Sequence, residues 1–233
     1  MNAVAIIPAR SGSKGIPNKN LQLIGGQTLL ERACRKALES GEFSRVIVSS
    51  DSSAYLELAE YLGAETHDRS RQLSSDSAKT DDVIRAVISD RNLGQESIVG
   101  CVECTSPFLR PKDIGNVHAI LRADPLLDGA LTVCHLDHTS HAYNQRYKDR
   151  DLVKFIFPFH RQNTNRQEKP VFYKFGNYVA ARSSHLLRGG GLFTGNQGSV
   201  LIDKLSSINI DDHEDLILAR ALHFIVEQRE RNK

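Results

Sequence analysis

The chain has 233 residues, 30 Lys and Arg against 28 Asp and Glu, 40% hydrophobic and 25% charged residues, and a net charge of +2. That length suits one large domain, and the near-neutral balance argues against a general nucleic-acid or membrane binder, so any anion site must come from local clustering. No apolar run reaches the roughly 18 residues of a membrane helix and no signal peptide is visible, so a cytoplasmic protein is expected.

The predicted elements alternate strand and helix. Residues 3–7 read as a buried strand that runs directly into a loop over 8–20. Thr28 and Glu31 make a capping box for a helix through Ser40, with Leu29, Leu30, Ala33, Ala37 and Leu38 on its inner face, and Gly41 stops it. Residues 45–49 form a short strand, 53–62 a helix closed by Gly63, and Asp81 and Asp82 open another helix. A strand over 97–102, a helix from Pro111 and a strand over 129–134 follow. Residues 135–175, rich in His, Asn, Arg, Lys and aromatics, break the rhythm and read as an excursion: an arm, a lid or a dimer contact. The chain returns with a strand over 176–181 and a turn at Gly189, Gly190 and Gly191. A last short strand over 207–210 precedes a final helix capped by Asp211 or Asp212. The rhythm implies a single α/β domain over 1–233, a mostly parallel sheet with helices on both faces. Sites in such sheets lie beyond the carboxyl ends of the strands, where the loop 8–20, Ser50 with Asp51, and the segment 103–110 all fall.

The loop after the first strand carries the chemistry. Its Gly12 and Gly15 let backbone approach a ligand closely. Arg10, Lys14 and Lys19 offer positive charge beside amide groups, a combination that holds phosphate oxygens. The loop lacks the G-x-G-x-x-G pattern of dinucleotide binders and carries more cations than a helix N-terminus requires. Cys101 and Cys104 form a C-x-x-C pair, but no second pair completes a zinc site and the pair straddles a strand end, so both read as structural thiols. His135, His138, His141 and His160 have no supporting carboxylate pattern and read as solvated loop histidines rather than metal ligands.

The run from Ile7 to Pro17, followed by Lys19, Asn20 and Leu21, closely resembles the opening motif of the acylneuraminate cytidylyltransferases. Val46 to Asp51 resembles that family's V-x-V-S-T-D strand end. Arg69, Leu73, Ser75 and Asp76 fall on its basic residue and S-x-D loop, Thr105, Ser106 and Pro107 on its T-S-P segment, Arg166 and Gln167 on its R-Q pair, and 207–211 on its S-I/V-D-I-D segment. The resemblance implies a Rossmann-like nucleotidyltransferase fold and a homodimer paired through the excursion. It also implies transfer from CTP, with Mg²⁺, to the anomeric hydroxyl of an acidic 2-keto sugar. By the same resemblance Arg10, Lys14 and Lys19 are catalytic, and Ala9, Arg10, Ser11, Gly12, Ser13, Asn20, Arg69 and Ser75 hold CTP. Glu103, Thr105, Ser106, Arg166, Gln167 and Phe175 then face the sugar.

Three departures stand out. The family segment offers two aspartates two residues apart as metal ligands; here they are Asn209 and Asp211, with Asp215 one helical turn on as a possible helper. Glu103 replaces an amide that faces the sugar, and Phe175 replaces an asparagine at the returning strand. The last two changes point to an acceptor other than N-acetylneuraminate, with octulosonate and pseudaminic- or legionaminic-type sugars as alternatives. Asn209 also admits a non-catalytic nucleotide-binding relative.

Overall fold

The computed structural model describes residues 2–13, 15–159 and 169–231. Strand β1 (Ala3–Pro8) is followed by a small hairpin of β2 (Leu23–Ile24) and β3 (Gln27–Thr28), which leads into α1 (Leu29–Glu39). The expected capping box is present. Thr28 Oγ1 accepts from the Glu31 amide at 3.1 Å, and Glu31 Oε2 accepts from the Thr28 amide at 2.6 Å. Gly41, at φ +67°, ends the turn beyond α1 in a conformation that favours glycine. Then come β4 (Arg45–Ser50), α2 (Ser53–Tyr61), β5 (Glu65–Asp68), α3 (Thr80–Asp90), β6 (Ile98–Cys101), α4 (Pro111–Ala123) and β7 (Gly129–His135). After an outlying hairpin, β8 (Arg146–Asp149) with β9 (Leu152–Phe155), the chain closes with β10 (Tyr173–Arg182), α5 (Ser183–Leu187), β11 (Gln197–Leu201) and α6 (His213–Arg231).

Seven strands form one sheet in the order β11-β7-β10-β6-β1-β4-β5. β1 pairs in parallel with β4 and β6, β4 with β5, and β7 with β11, whereas β10 is antiparallel to both β6 and β7. Alternation along β1 sends Ala3, Ala5 and Ile7 to a core shared with α1, α2, α4 and α6, and Val4 and Ile6 to one shared with α3 and α5. A strand buried on both faces must be apolar throughout, which is why residues 3–7 carry no polar side chain. From β1 the chain steps outward to β4 and β5, then returns through α3, on the opposite face, to β6 on the other side of β1. That reversal opens a crevice at the carboxyl ends of β1 and β6.

The structure corrects several expectations. Residues 207–210 are not a strand. Asp203 Oδ1 accepts from the Ser206 amide at 3.0 Å and the Ser207 amide reaches Asp203 O at 3.2 Å, so Ser207 belongs to a tight turn. The edge strands β5 and β11 were not anticipated, because Glu65, Thr66, His67 and Asp68 show no apolar run and Gly198 interrupts β11. His141 is buried rather than solvated: it stacks on Phe172 with centroids 4.5 Å apart and its Nε2 meets Pro170 O at 3.0 Å. His160 lies outside the described residues. All four cysteines are buried and free, and burial pushes the Cys34 thiol up to about 12 and those of Cys101 and Cys104 upward as well.

Candidate active site

The loop after β1 is tied down before any ligand arrives. The Ala9 amide donates to Ser49 O at 2.9 Å. Ser11 clamps Asp51 twice, amide to Oδ1 at 2.8 Å and hydroxyl to Oδ2 at 2.9 Å. Burial pushes the Asp51 carboxyl up, but the two Ser11 donors and the charge of Arg69 prevail and hold it below the usual range. Asn20, buried in the middle of a short 3₁₀ turn (Lys19–Leu21), donates to Arg10 O at 3.1 Å. The Arg10 guanidinium reaches Asp76 Oδ1 at 2.9 Å. Gly12 has open space beside it, and Ser13 is half-buried. A Cβ at Gly15 would stand 2.7 Å from the Asp211 carbonyl, so this close approach of two backbones requires glycine. Lys14 lies outside the described residues.

A cavity of about 270 Å³ fills the crevice. Arg10, Asn20, Arg69, Ser75, Glu103 and Thr105 all line it, together with Pro8, Leu73, Asp76, Cys104 and the first turn of α3. Residues far apart in sequence thus converge on one space. Arg69 is buried, and its guanidinium donates through Nη2 to Ser49 O at 2.7 Å and through Nε to Ser49 Oγ at 3.3 Å. Ser75 Oγ donates to Gln72 O at 2.9 Å, which fixes the turn that carries it. Burial pushes the Glu103 carboxyl up and Asp211 pushes it further, against Lys19 and the Thr105 hydroxyl. Ser106 is buried behind the cavity wall, its amide on Glu103 O at 3.2 Å. A second cavity of about 420 Å³, beside Arg110, Lys112 and Arg229, holds none of the predicted residues.

The segment 209–211 packs against Lys19 and Thr105. Lys19 Nζ donates to Ile210 O at 2.8 Å and stands 3.9 Å from Asp211 Oδ1, while the Ile210 amide donates to Thr105 O at 2.9 Å. Asp212 caps α6, its Oδ1 accepting from the amides of Glu214 and Asp215 at 2.9 and 3.0 Å. Asp215 answers, its Oδ2 accepting from the amides of Asp211 and Asp212 at 2.9 and 3.2 Å. Its carboxylate is therefore engaged in the cap. Asn209 Nδ2 donates to Asp211 Oδ2 at 2.9 Å, yet its Oδ1 is buried with no hydrogen-bond partner. An orphaned amide oxygen next to the exposed Asp211 carboxylate is a pair of hard oxygen donors, which fits Mg²⁺. Among the described residues no group of three or more His, Cys, Asp or Glu is gathered to hold an ion alone. The remaining ligands would come from phosphate and water, as Mg²⁺ commonly takes them.

One predicted residue falls elsewhere. Phe175 packs edge-on against Phe193, centroids 5.1 Å apart, on the face of the sheet that carries α3 and α5, and is not among the residues lining the cavity. Arg166 and Gln167 lie outside the described residues. Sequence reasoning also missed a chain of contacts behind Arg69: Ser49 Oγ meets His67 Nδ1 at 2.9 Å, and His67 Nε2 meets Asp90 Oδ2 at 3.0 Å. The signal was hidden because the pairing of Ser49 with His67 depends on β5.

Known proteins resemble this chain in sequence and in fold. The chain is 27% identical over 222 residues to an N-acylneuraminate cytidylyltransferase from Streptococcus agalactiae, covering 93% of this chain and 52% of that protein. It is 26% identical over 213 residues to a Helicobacter pylori protein named pseudaminic acid cytidylyltransferase and UDP-2,4-diacetamido-2,4,6-trideoxy-beta-L-altropyranose hydrolase, covering 91% of this chain and 40% of that one. The chain thus spans about half the length, or less, of these curated relatives. Its fold matches a CMP:2-keto-3-deoxy-manno-octonic acid synthetase complexed with CTP, with a TM-score of 0.74, 18% identity, and coverage of 97% and 99% of the two chains. A family model described as cytidylyltransferase matches residues 4–178, from the first strand to the antiparallel strand beside the crevice, and the chain belongs to the cytidylyltransferase family.

Proposed function

We propose that this chain transfers the cytidylyl group of CTP to the anomeric hydroxyl of an acidic 2-keto sugar, releasing pyrophosphate. The observation that carries the reading is the convergence of Arg10 and Asn20 from the basic loop, Arg69 with Ser75, and Glu103 with Thr105 on one cavity at the strand reversal. The sugar oxygen attacks the α-phosphorus, the bond to the bridging oxygen of the β-phosphate breaks so that pyrophosphate leaves, and the hydroxyl proton passes to solvent water. Charge builds on phosphate oxygens, so catalysis rests on positioning and fixed positive charge. Arg10, Lys14 and Lys19 supply that charge, with Lys14 at the leaving pyrophosphate. With the Ala9 and Ser11 amides engaged by Ser49 and Asp51, the loop offers the amides of Arg10, Gly12 and Ser13, and Asn20 braces it. Arg69 and Ser75 meet the cytosine. Asp211 and Asn209 would hold the Mg²⁺ ion, with Asp215 fixing the backbone of Asp211. When bound, the ion adds positive charge to the phosphates. Arg166 would pair with the sugar carboxylate or phosphate, with Gln167 beside it in the sequence facing the sugar.

Release of pyrophosphate from CTP and Mg²⁺ with a panel of 2-keto acid sugars tests the reading. Lys14→Ala is expected to lower turnover by about 10²–10³-fold, the scale of losing one donor to transition-state charge, and Asp211→Ala to weaken its dependence on Mg²⁺. CTP binding without turnover on any sugar would leave a binding module instead. Glu103 favours a narrower reading. A half-buried carboxylate lining the cavity accepts hydrogen bonds from an amine or hydroxyl, so the favoured acceptor is not N-acetylneuraminate, and a clear preference for that sugar in the panel defeats this. The exposed apolar side chains of the outlying hairpin, Tyr147, Leu152 and Val153, support a homodimer formed there.

A further inference from the structure

Arg69 does not hold its own position. Ser49 and His67 are register partners across β4 and β5, and both are buried. The Asp90 carboxylate accepts hydrogen bonds and cannot donate one, so His67 Nε2 carries the proton in that contact and, in the neutral ring, Nδ1 is an acceptor. The Ser49 hydroxyl then donates to Nδ1, which turns its oxygen lone pairs toward Arg69 Nε. The Ser49 carbonyl accepts from Arg69 Nη2 and from the Ala9 amide at the head of the basic loop, engaging both lone pairs. One residue thereby holds the guanidinium at two nitrogens and the loop at a third. A four-torsion side chain aimed into the cavity needs such bracing to present one fixed face.

We propose that His67, anchored by Asp90, is a positioning residue for nucleotide recognition, acting through Ser49 on Arg69. The inference rests on the cytidylyltransferase reading above. Cytosine offers N3 as an acceptor where uracil has an N–H, so a fixed guanidinium favours CTP over UTP. The rival account is a plain structural tie between β4, β5 and α3.

Isothermal titration of the full chain with CTP and with UTP separates them. Arg69→Ala and His67→Phe are both expected to weaken CTP binding by about tenfold, as loss of one well-placed hydrogen bond to a charged group does, while UTP changes little, so that the preference shrinks. His67→Asn, whose Oδ1 can stand in for Nδ1 toward Ser49, is expected to keep more of the preference than His67→Phe. A His67→Phe protein that melts earlier but prefers CTP as strongly as the parent overturns the proposal in favour of the structural tie. If Arg69→Ala leaves CTP binding untouched, the reading of the cavity falls and takes the inference with it. Should His67→Phe not fold, Ser49→Ala, which removes a single hydroxyl, is read against the same two nucleotides with the same outcomes.

Discussion

At the scale of single residues, Glu103 shows how composition and environment part company. The sequence marks it as a carboxylate where an amide is usual; the structure places it in a cavity wall beside Asp211. Its carboxyl is raised by burial first and by Asp211 second. The folded protein therefore holds this proton more tightly than the unfolded chain, and its contribution to stability is full below the usual glutamate value near 4.5 and is lost as pH rises through the raised value. Glu103→Gln is accordingly expected to melt at a higher temperature than the parent at pH 7, with the gap closing as the pH falls through the raised value and closed below about 4.5. Thermal denaturation across that range checks it; an unchanged gap would contradict the assigned environment. The identities of Arg10, Asn20, Arg69 and Ser75 as cavity residues were legible because they sit in or just after recognisable motifs. His67 was not, because nothing in a lone histidine between Thr66 and Asp68 tells which neighbour it will meet.

At the scale of elements, the long apolar strands and capped helices were legible and the edges were not. β1 and β4 announce themselves by runs of Val, Ile and Ala buried on two faces. α1 does so by a capping box. β5 and β11 lie at the two ends of the sheet, where one side is unpaired and half-exposed sequence suffices. The segment 207–210 misled because alternating Ser, Ile and Asn imitates a strand, while Asp203 had already turned the chain upstream of it. The basic loop and the segment 209–211 behave as one unit, joined by Lys19 to Ile210 and by the bare Cα of Gly15 against the Asp211 carbonyl. A methyl group there must push two backbones apart. Gly15→Ala is expected to lower turnover by about 10²-fold, the scale of a 1 Å misplacement, with a modest change in melting temperature; steady-state kinetics beside a thermal melt would show whether the loss is in catalysis or in folding.

At the scale of the whole molecule, the reversal of strand order decides where everything else converges. The chain alternation made a mostly parallel sheet legible, but not that β10 runs against its neighbours, because the composition of the excursion does not tell from which end of the sheet the chain returns. The excursion leaves Leu152 and Val153 more than 60% exposed on a two-stranded hairpin, which is marginal when unsupported. Replacing both with aspartate is expected to shift the sedimenting species from twice 25.9 kDa to a single chain; a parent protein that already sediments as one chain would remove the proposed dimer. The contact between Arg10 and Asp76 has its own consequence. An incoming polyanion meets a cation that already has an anionic companion, so binding is an exchange of counter-charges rather than a capture by bare charge. On the proposed reading, recognition then favours ligands dense enough in charge to win that exchange over weak anions such as chloride or a lone carboxylate.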